Sequence, residues 1–225
     1  MIIEPMTRDH IVRELTYSRE AGNIRLRWRY KEASDFLVFL YDGRQKFDLE
    51  AVCAQLSDAG YDDAQLTGQT KRFQPAGADA RCRLAYIRKA EFQREGRSFS
   101  FPASELKKDR PYGIRVYACV MEDGLRVFPA EAEYNTCYFP VKIRADIRYH
   151  TKPFSKEKYC VLRLPQMEDY ADGSIRYHVE GASCDIPLPQ SCLGRELTIR
   201  IPKKSGVSIR VQEAYKKYYS IAHLK

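Results

Sequence analysis

Residues 105–120 read ELKKDRPYGIRVYACV, and from Tyr112 onward apolar side chains alternate with other residues in a period of two. This alternation is typical of a half-buried β-strand. The turn sequence Glu122-Asp123-Gly124 follows and leads into a second apolar segment, 125–128, which predicts a β-hairpin. The apolar face of the first strand carries Tyr112, Ile114, Val116, Ala118 and Val120.

Upstream segments extend the β pattern toward the N-terminus. In residues 23–31, NIRLRWRYK, apolar and basic side chains alternate, and the turn signal at 21–23 separates this strand from an earlier one at 11–18. Residues 36–41, FLVFLY, are apolar throughout and end at Asp42-Gly43. A run of this length predicts a strand that is buried on both faces.

The segment at about 44–96 breaks the strand rhythm. Asp48 to Leu56 is the best helix candidate, with an N-cap residue at Asp48 and apolar residues at helical spacing. Residues 60–80 read as a long surface loop, and strands resume at 82–92 and 98–101. The helix face carries Leu49, Val52, Cys53 and Leu56.

Leu106 and Tyr112 stand six positions apart and resemble the E–F corner of fibronectin type III domains, where a Leu fills the core and a Tyr bonds back to upstream backbone. Trp28 matches the core Trp of strand B in that family. This resemblance to the fibronectin type III and immunoglobulin-like sandwiches covers residues 12–138. The segment 42–97 departs from it, because it is about 25 residues longer than usual. The strand C pattern is matched by Phe36, Val38 and Leu40.

Pro140 marks a junction after which the alternation restarts in residues 141–149. Short strands separated by turn-like segments then recur up to residue 211, which is typical of a second small β-sandwich or barrel. The tail at 213–223 fits either a strand or a short helix. The sequence therefore predicts an all-β protein of two tandem β-sandwich domains, residues 1–140 with the helix-and-loop insertion and residues 141–225, the fibronectin-like resemblance being weaker for the second.

The composition of the chain limits which classes of function are plausible. The chain has 225 residues with 38 basic and 30 acidic side chains, a net charge of +8 without long single-sign blocks. Seven cysteines are scattered without CxxC spacing, which disfavours a disulfide framework or a zinc site. Neither an export signal nor a long apolar membrane segment is recognisable. We therefore expect a cytoplasmic location, no membrane insertion and no cofactor or metal.

Known catalytic motifs are missing from the sequence: there is no nucleophile elbow, zinc-protease helix, P-loop or dinucleotide fingerprint. Cys160 and His178 lie on predicted strands and would form a thiol nucleophile only if those strands were neighbours. The acidic doublets 62–63 and 168–169 lack the oxygen-rich spacing of Ca²⁺ loops. We therefore predict a protein that is not an enzyme.

Two surface features are candidate binding sites. Arg25, Arg27 and Arg29 form an outward basic row. Similar outward positions are occupied by Arg144, Arg148, Arg176, Arg200 and Arg210. Such rows are also what a solvated strand face that blocks edge pairing would show. Three C-terminal tyrosines beside two lysines suit an interface, or equally a final strand packed into the second domain. These tyrosines are Tyr215, Tyr218 and Tyr219.

The leading functional prediction is a protein-interaction or scaffold module, with the insertion at 44–96 as its recognition element, because extended loops on a rigid sandwich often bind partners. Carbohydrate binding is the first alternative, and an enzyme with an unrecognised site is the second. Nucleic acid is a less favoured partner, since no RNA-binding motif accompanies the basic residues. The sequence leaves the oligomeric state open.

Overall fold

A computed structural model describes residues 1–31, 34–58, 72–76, 82–167 and 170–223. The predicted loop at 60–80 and the doublets 62–63 and 168–169 fall largely or wholly outside these residues. The chain divides into two compact units, one comprising Met1–Lys107 and Tyr112–Phe139, the other Lys108–Pro111 and Pro140–Lys225. No helix among the described residues is long and apolar enough to cross a membrane.

The first unit contains ten described strands and three short helices. The helices are α1 (Leu49–Asp58), α2 (Lys89–Arg94) and α3 (Ala132–Asn135). The strands are β1 (Ile2–Ile3), β2 (Arg13–Glu20), β3 (Asn23–Arg29), β4 (Asp35–Asp42), β5 (Gln74–Pro75), β6 (Cys82–Ile87), β7 (Ser98–Pro102), β8 (Tyr112–Met121), β9 (Leu125–Phe128) and β10 (Thr136–Phe139).

Two sheets form the sandwich of the first unit. One has the order β2–β3–β7, and the other has the order β1–β9–β8–β4–β6–β5, with β10 also paired to β8. If β2, β3, β4, β6, β7 and β8 are lettered A, B, C, C′, E and F, the sheets read A–B–E and C′–C–F. This is the arrangement of fibronectin-like and immunoglobulin-like sandwiches. The predicted strand C, β4, lies at the centre of its sheet.

The core between these sheets contains the residues on which the resemblance rested. Trp28 is only 4% exposed, and its ring stacks on Phe92 at a centroid distance of 4.2 Å and meets the edge of Phe36 at 5.1 Å. Tyr112 is also buried, and Leu106 packs against the same cluster. Aromatic rings arranged in this way contribute more than their buried area alone. The predicted fibronectin-like core is therefore confirmed.

The outer face of the large sheet is buried as well. Helix α1 packs there through Val52, Cys53 and Leu56, against residues of β4 such as Phe39. A second hydrophobic core therefore lies between this face and α1. The sequence 36–41 is apolar at every position because its side chains enter both this core and the one between the sheets. The predicted helix is confirmed, but its apolar face is covered by the sheet and is therefore not a recognition surface.

Two predictions for the segment 82–92 need correction. The strand ends at Ile87, and residues 89–94 form α2, because Lys, Ala, Glu and Gln favour a helix and only Phe92 needs burial. In addition, β6 pairs antiparallel with β4 along its whole length. Residues 82–87 are therefore a strand of the sandwich and not part of an insertion.

The described residues of the second unit form seven strands in two sheets. The sheet orders are β15–β12–β11–β17 and β14–β13–β16. If β11, β12, β13, β14, β15 and β16 are lettered A, B, C, C′, E and F, the first sheet contains the order A–B–E and the second reads C′–C–F. The unit is therefore a sandwich and not a barrel. The strands are β11 (Val141–Thr151), β12 (Glu157–Arg163), β13 (Ile175–Val179), β14 (Ile186–Pro187), β15 (Glu196–Pro202), β16 (Val207–Val211) and β17 (Tyr219–His223).

The C-terminal tail contains both elements between which the sequence left a choice. Residues Glu213–Tyr215 form a single 3-10 turn, and β17 follows it. Strand β17 pairs in parallel with β11, the first strand of this unit. Strand β17 therefore follows β16 in the sequence but is hydrogen-bonded to the other sheet.

Candidate binding surface

The basic row on β3 points to solvent as the alternation predicts, but acidic side chains balance most of it. Arg25 pairs with Glu20 and Arg29 pairs with Glu14, each at 3.1 Å. Both glutamates lie on the neighbouring strand β2. Exposed pairs of this kind contribute little stability, but they lower the net positive charge of the row.

Arg27 lies between these two ion pairs and has small polar neighbours. Its cross-strand partners are Thr16 on β2 and Ser98 on β7. A cleft of about 400 Å³ beside it is lined by Glu14, Arg29 and other residues. The row is therefore a solvated polar face with one arginine that forms no ion pair among the described residues.

The three C-terminal tyrosines do not form one surface. Tyr219 is 4% exposed and belongs to the hydrophobic core of the second unit, so it is not available to a partner. Tyr215 and Tyr218 are half-buried and pack against the same core. The side chain of Lys216 is 61% exposed between them. The tail is thus mainly a packing element, as the alternative interpretation predicted.

A different site lies between β16 and β17. A cleft of about 720 Å³ opens there, and all of its lining residues belong to the second unit. Its volume falls in the range of about 300–1,000 Å³ that is typical of ligand sites. Residues important for its chemistry are Arg176, Asp185, Ile209, Arg210, Lys216 and Tyr219.

The hydrogen bonds between β13 and β16 show which backbone groups face this cleft. The amide of Gln212 donates to the carbonyl of Ser174 over 2.8 Å, and that of Glu180 donates to Gly206 over 2.9 Å. In an antiparallel pair, every second residue bonds to the neighbouring strand. Even-numbered residues of β16 therefore bond to β13, and odd-numbered residues direct their N–H and C=O groups to the free edge.

One end of this free edge is capped. The amide of Val207 donates to the hydroxyl of Tyr149 over 2.9 Å, and that hydroxyl lies 3.5 Å from the Val207 carbonyl oxygen. Ile209 and Val211 follow on the same edge. Within the described residues, no strand pairs with β16 on this side, so the backbone groups of these two residues face the cleft.

The opposite wall of the cleft is a second strand edge. The amide of Val141 on β11 donates to the carbonyl of Tyr218 over 2.9 Å, and the parallel register aligns Val141 with Tyr219. A residue in a parallel ladder bonds to the positions before and after its partner. Tyr219 and Ile221 therefore direct their backbone groups away from β11.

In the cleft, two arginines lie on neighbouring strands, and one of them is close to the carboxylate of Asp185. Arg176 and Arg210 are directly opposite each other on β13 and β16. Oδ1 of Asp185 lies 3.7 Å from Nη1 of Arg210 and 2.9 Å from Nδ1 of His178, so one carboxylate contacts both side chains. Nε of Arg176 is buried and has no hydrogen-bond partner. Like charges that face each other across strands destabilise a sheet, so this pair favours an added anion.

The second unit also carries most of the net positive charge of the chain. Residues 140–225 contain 16 basic and nine acidic side chains, a net charge of +7 out of the total of +8. A field of this sign attracts acidic partners and accelerates their association. The sequence contained this signal, which appears only when the charges are counted separately for each domain.

No described residues form a catalytic or metal-binding arrangement of a known kind. His178 pairs with Asp185, while Cys160 is completely buried beside Ile201. Burial raises the pKa of the Cys160 thiol, which is opposite to the shift that activates a nucleophile. Among the described residues, no three His, Cys, Asp or Glu side chains cluster as metal ligands.

This chain has a structural likeness to known proteins but no match in sequence. No family model matches it, and no curated protein matches it. Among solved structures, it is similar to the FN1–FN3 domains of chicken CNTN1, with 7% identity and a TM-score of 0.30 over 95% of this chain. The match covers 58% of that structure. Strand order and core residues, and not this superposition, support the fibronectin-like assignment.

Proposed function

We propose that this protein is a non-enzymatic interaction module that binds a partner protein through its second unit. The observation that carries the proposal is the cleft beside β16, where the free edge of this strand presents the backbone N–H and C=O groups of Ile209 and Val211. Open edges of this kind are sites at which other chains dock, and proteins usually protect them when no partner is intended. A cytoplasmic location remains part of the proposal.

The alternative of carbohydrate binding has less support. Sugar rings stack on exposed aromatic rings, but the single Trp of the chain is buried in the first core. Tyr149 is 42% exposed, yet its hydroxyl is bonded to Val207 and Lys158 lies 4.3 Å above its ring. A protein partner therefore fits the described surface better.

A photo-crosslinking experiment tests the proposal. A photoreactive phenylalanine analogue replaces Lys216 at the cleft, and a matched variant carries it at Thr198, an exposed position on β15. After irradiation in host cells, we expect one discrete adduct from position 216 and none from position 198. The proposal fails if position 216 gives no discrete adduct, or if both positions give the same adduct.

A further inference from the structure

We propose that the β16–β17 cleft binds an extended acidic segment of a partner protein, which adds as a strand to β16 and directs a carboxylate toward Arg176 and Arg210. This inference rests on the proposed function and specifies the chemistry of the partner. It combines three independent features of the cleft: its backbone edge, its charge and its apolar wall.

The backbone edge favours a polypeptide ligand. Ile209 and Val211 present N–H and C=O groups to the cleft, two residues apart on one strand. Residues at this spacing repeat about every 6.6 Å along a strand, and a polypeptide in the same conformation supplies complementary groups at the same spacing. Strand addition to a free sheet edge is a common mode of peptide recognition. Nucleic acids lack this alternating pattern of donors and acceptors.

The charge of the cleft favours an acidic residue at one position of the segment. A residue paired with Arg210 on an added strand places its Cβ about 5 Å from the Cβ of that arginine, on the same face. Arg176 is the neighbour of Arg210 on the other side and has an unpartnered Nε. A carboxylate there accepts charge-assisted hydrogen bonds, which are stronger than neutral ones.

The other face of the added strand meets apolar side chains. Residues on either side of the acidic position pair with Ile209 and Val211, whose side chains point to the interior of the sandwich. Tyr219 and Ile221 line the opposite wall of the cleft. The preferred segment is therefore apolar, acidic and apolar at three successive positions, because strand side chains alternate between faces.

The test uses the full chain and a fluorescein-labelled ten-residue peptide of alternating Val and Glu, measured by fluorescence anisotropy. One matched peptide has Gln in place of Glu. A second keeps all charges but is N-methylated at alternate amides, which removes strand pairing. We expect saturable binding of the first peptide, and at least tenfold weaker binding of both others. Hydrogen exchange of the Ile209 and Val211 amides slows only with the first peptide.

Variants of the protein test the role of charge. Arg176→Gln is expected to weaken binding about ten- to a hundredfold, the equivalent of one lost charged hydrogen bond. The matched control is Arg200→Gln on β15, outside the lining of the cleft and paired with Glu157. It is expected to change the affinity less than about twofold, as exposed ion pairs are weak. Circular dichroism confirms that both variants are folded.

Several outcomes overturn the inference. They are absence of binding at about 1 mM peptide, equal binding of the N-methylated peptide, and equal loss in the two arginine variants. Displacement of the peptide by a single-stranded oligonucleotide, with a steep salt dependence, assigns the cleft to nucleic acid instead. If the crosslinking at position 216 succeeds while the peptide fails, the interaction module stands and strand addition is rejected.

Discussion

The backbone N–H of Lys107 donates a hydrogen bond to the hydroxyl of Tyr112 over 3.3 Å, and this bond closes the corner between β7 and β8. The aromatic ring is buried in the core of the first unit, while Lys107 is exposed. A single side chain therefore fixes the core and the chain reversal together. This is the tyrosine corner that the spacing of Leu106 and Tyr112 predicted.

Replacement of Tyr112 by Phe keeps the ring and removes the hydrogen bond. We expect a loss of about 1 kcal/mol in the free energy of unfolding. Urea titration followed by the fluorescence of Trp28 measures it, because the only Trp of the chain reports on this unit. The control is Tyr134→Phe at a residue that is 43% exposed. Equal stability of the two variants would show that the corner bond contributes nothing.

The first unit was largely predictable because its key residues act through local sequence. Tyr112 and Leu106 are separated by one turn, and Trp28 sits in an alternating strand, so each pattern is visible without the fold. The boundary at Ile87 was not predictable, since Tyr86 and Phe92 are both apolar and only tertiary packing decides which of them continues a strand. The role of β6 also depends on its distant partner β4.

Truncation of Leu56 to Ala tests whether α1 is a structural cover for the sheet. Leu56 is completely buried in the second core of the first unit. We expect a loss of about 2–5 kcal/mol, because the large sheet loses apolar contact and gains a cavity. The matched control is Gln55→Ala on the exposed face of α1, expected within about 0.5 kcal/mol of the parent. The same urea titration compares the variants, and a similar small loss in both would mean that α1 is dispensable.

The candidate site was much harder to predict than the fold. Alternation identified Arg176 and Arg210 as outward-facing, but it did not reveal that they are opposite each other. Whether β16 has a neighbour on its outer side is a property of the strand order, and β17 pairs instead with β11. The sequence offered the C-terminal tyrosines as a binding surface or as a packed strand, because buried and interfacial aromatic residues have the same pattern. The burial of Tyr219 rules this residue out as a binding residue.

Gly113 permits a close approach between β4 and β8. It is the cross-strand partner of Tyr41, and a Cβ on Gly113 would lie 2.3 Å from Cζ of that ring. Since Tyr41 is only 4% exposed, its ring has little room to move. We expect Gly113→Ala to lower the free energy of unfolding by about 1–3 kcal/mol, the usual effect of overpacking.

A double-mutant cycle with Tyr41→Leu provides the control for Gly113→Ala. Leu lacks the ring atoms that the new methyl group meets, so the cost of Gly113→Ala should largely disappear in that background. Thermal unfolding by circular dichroism and urea titration measure all four proteins. An unchanged cost in the Leu background would show that the steric contact with Tyr41 is not its cause.

Thiol reactivity distinguishes the exposed Cys184 from cysteines whose pKa is raised by burial. Burial raises the pKa of Cys53 to about 11 and that of Cys137 to about 12. At pH 8 a thiol with a pKa of about 11 is ionised to only about one part in a thousand, and the thiolate is the reactive form. Cys184 is exposed. In the native protein we therefore expect Cys184 to react rapidly and Cys53 and Cys137 to react slowly with a chromogenic disulfide reagent, and all seven thiols to react in urea.

The same shifts contribute to the dependence of stability on pH. Unfolded thiols ionise at their ordinary pKa of about 8.5, whereas buried Cys53 and Cys137 stay protonated until higher pH. Between these values the unfolded chain binds fewer protons than the native one, so stability falls as pH rises from about 9 to 11. Cys53→Ala removes its share of this slope, and Cys184→Ser removes one rapidly reacting thiol. An unchanged number of rapidly reacting thiols in Cys184→Ser would contradict the assignment of a rapid reaction to Cys184.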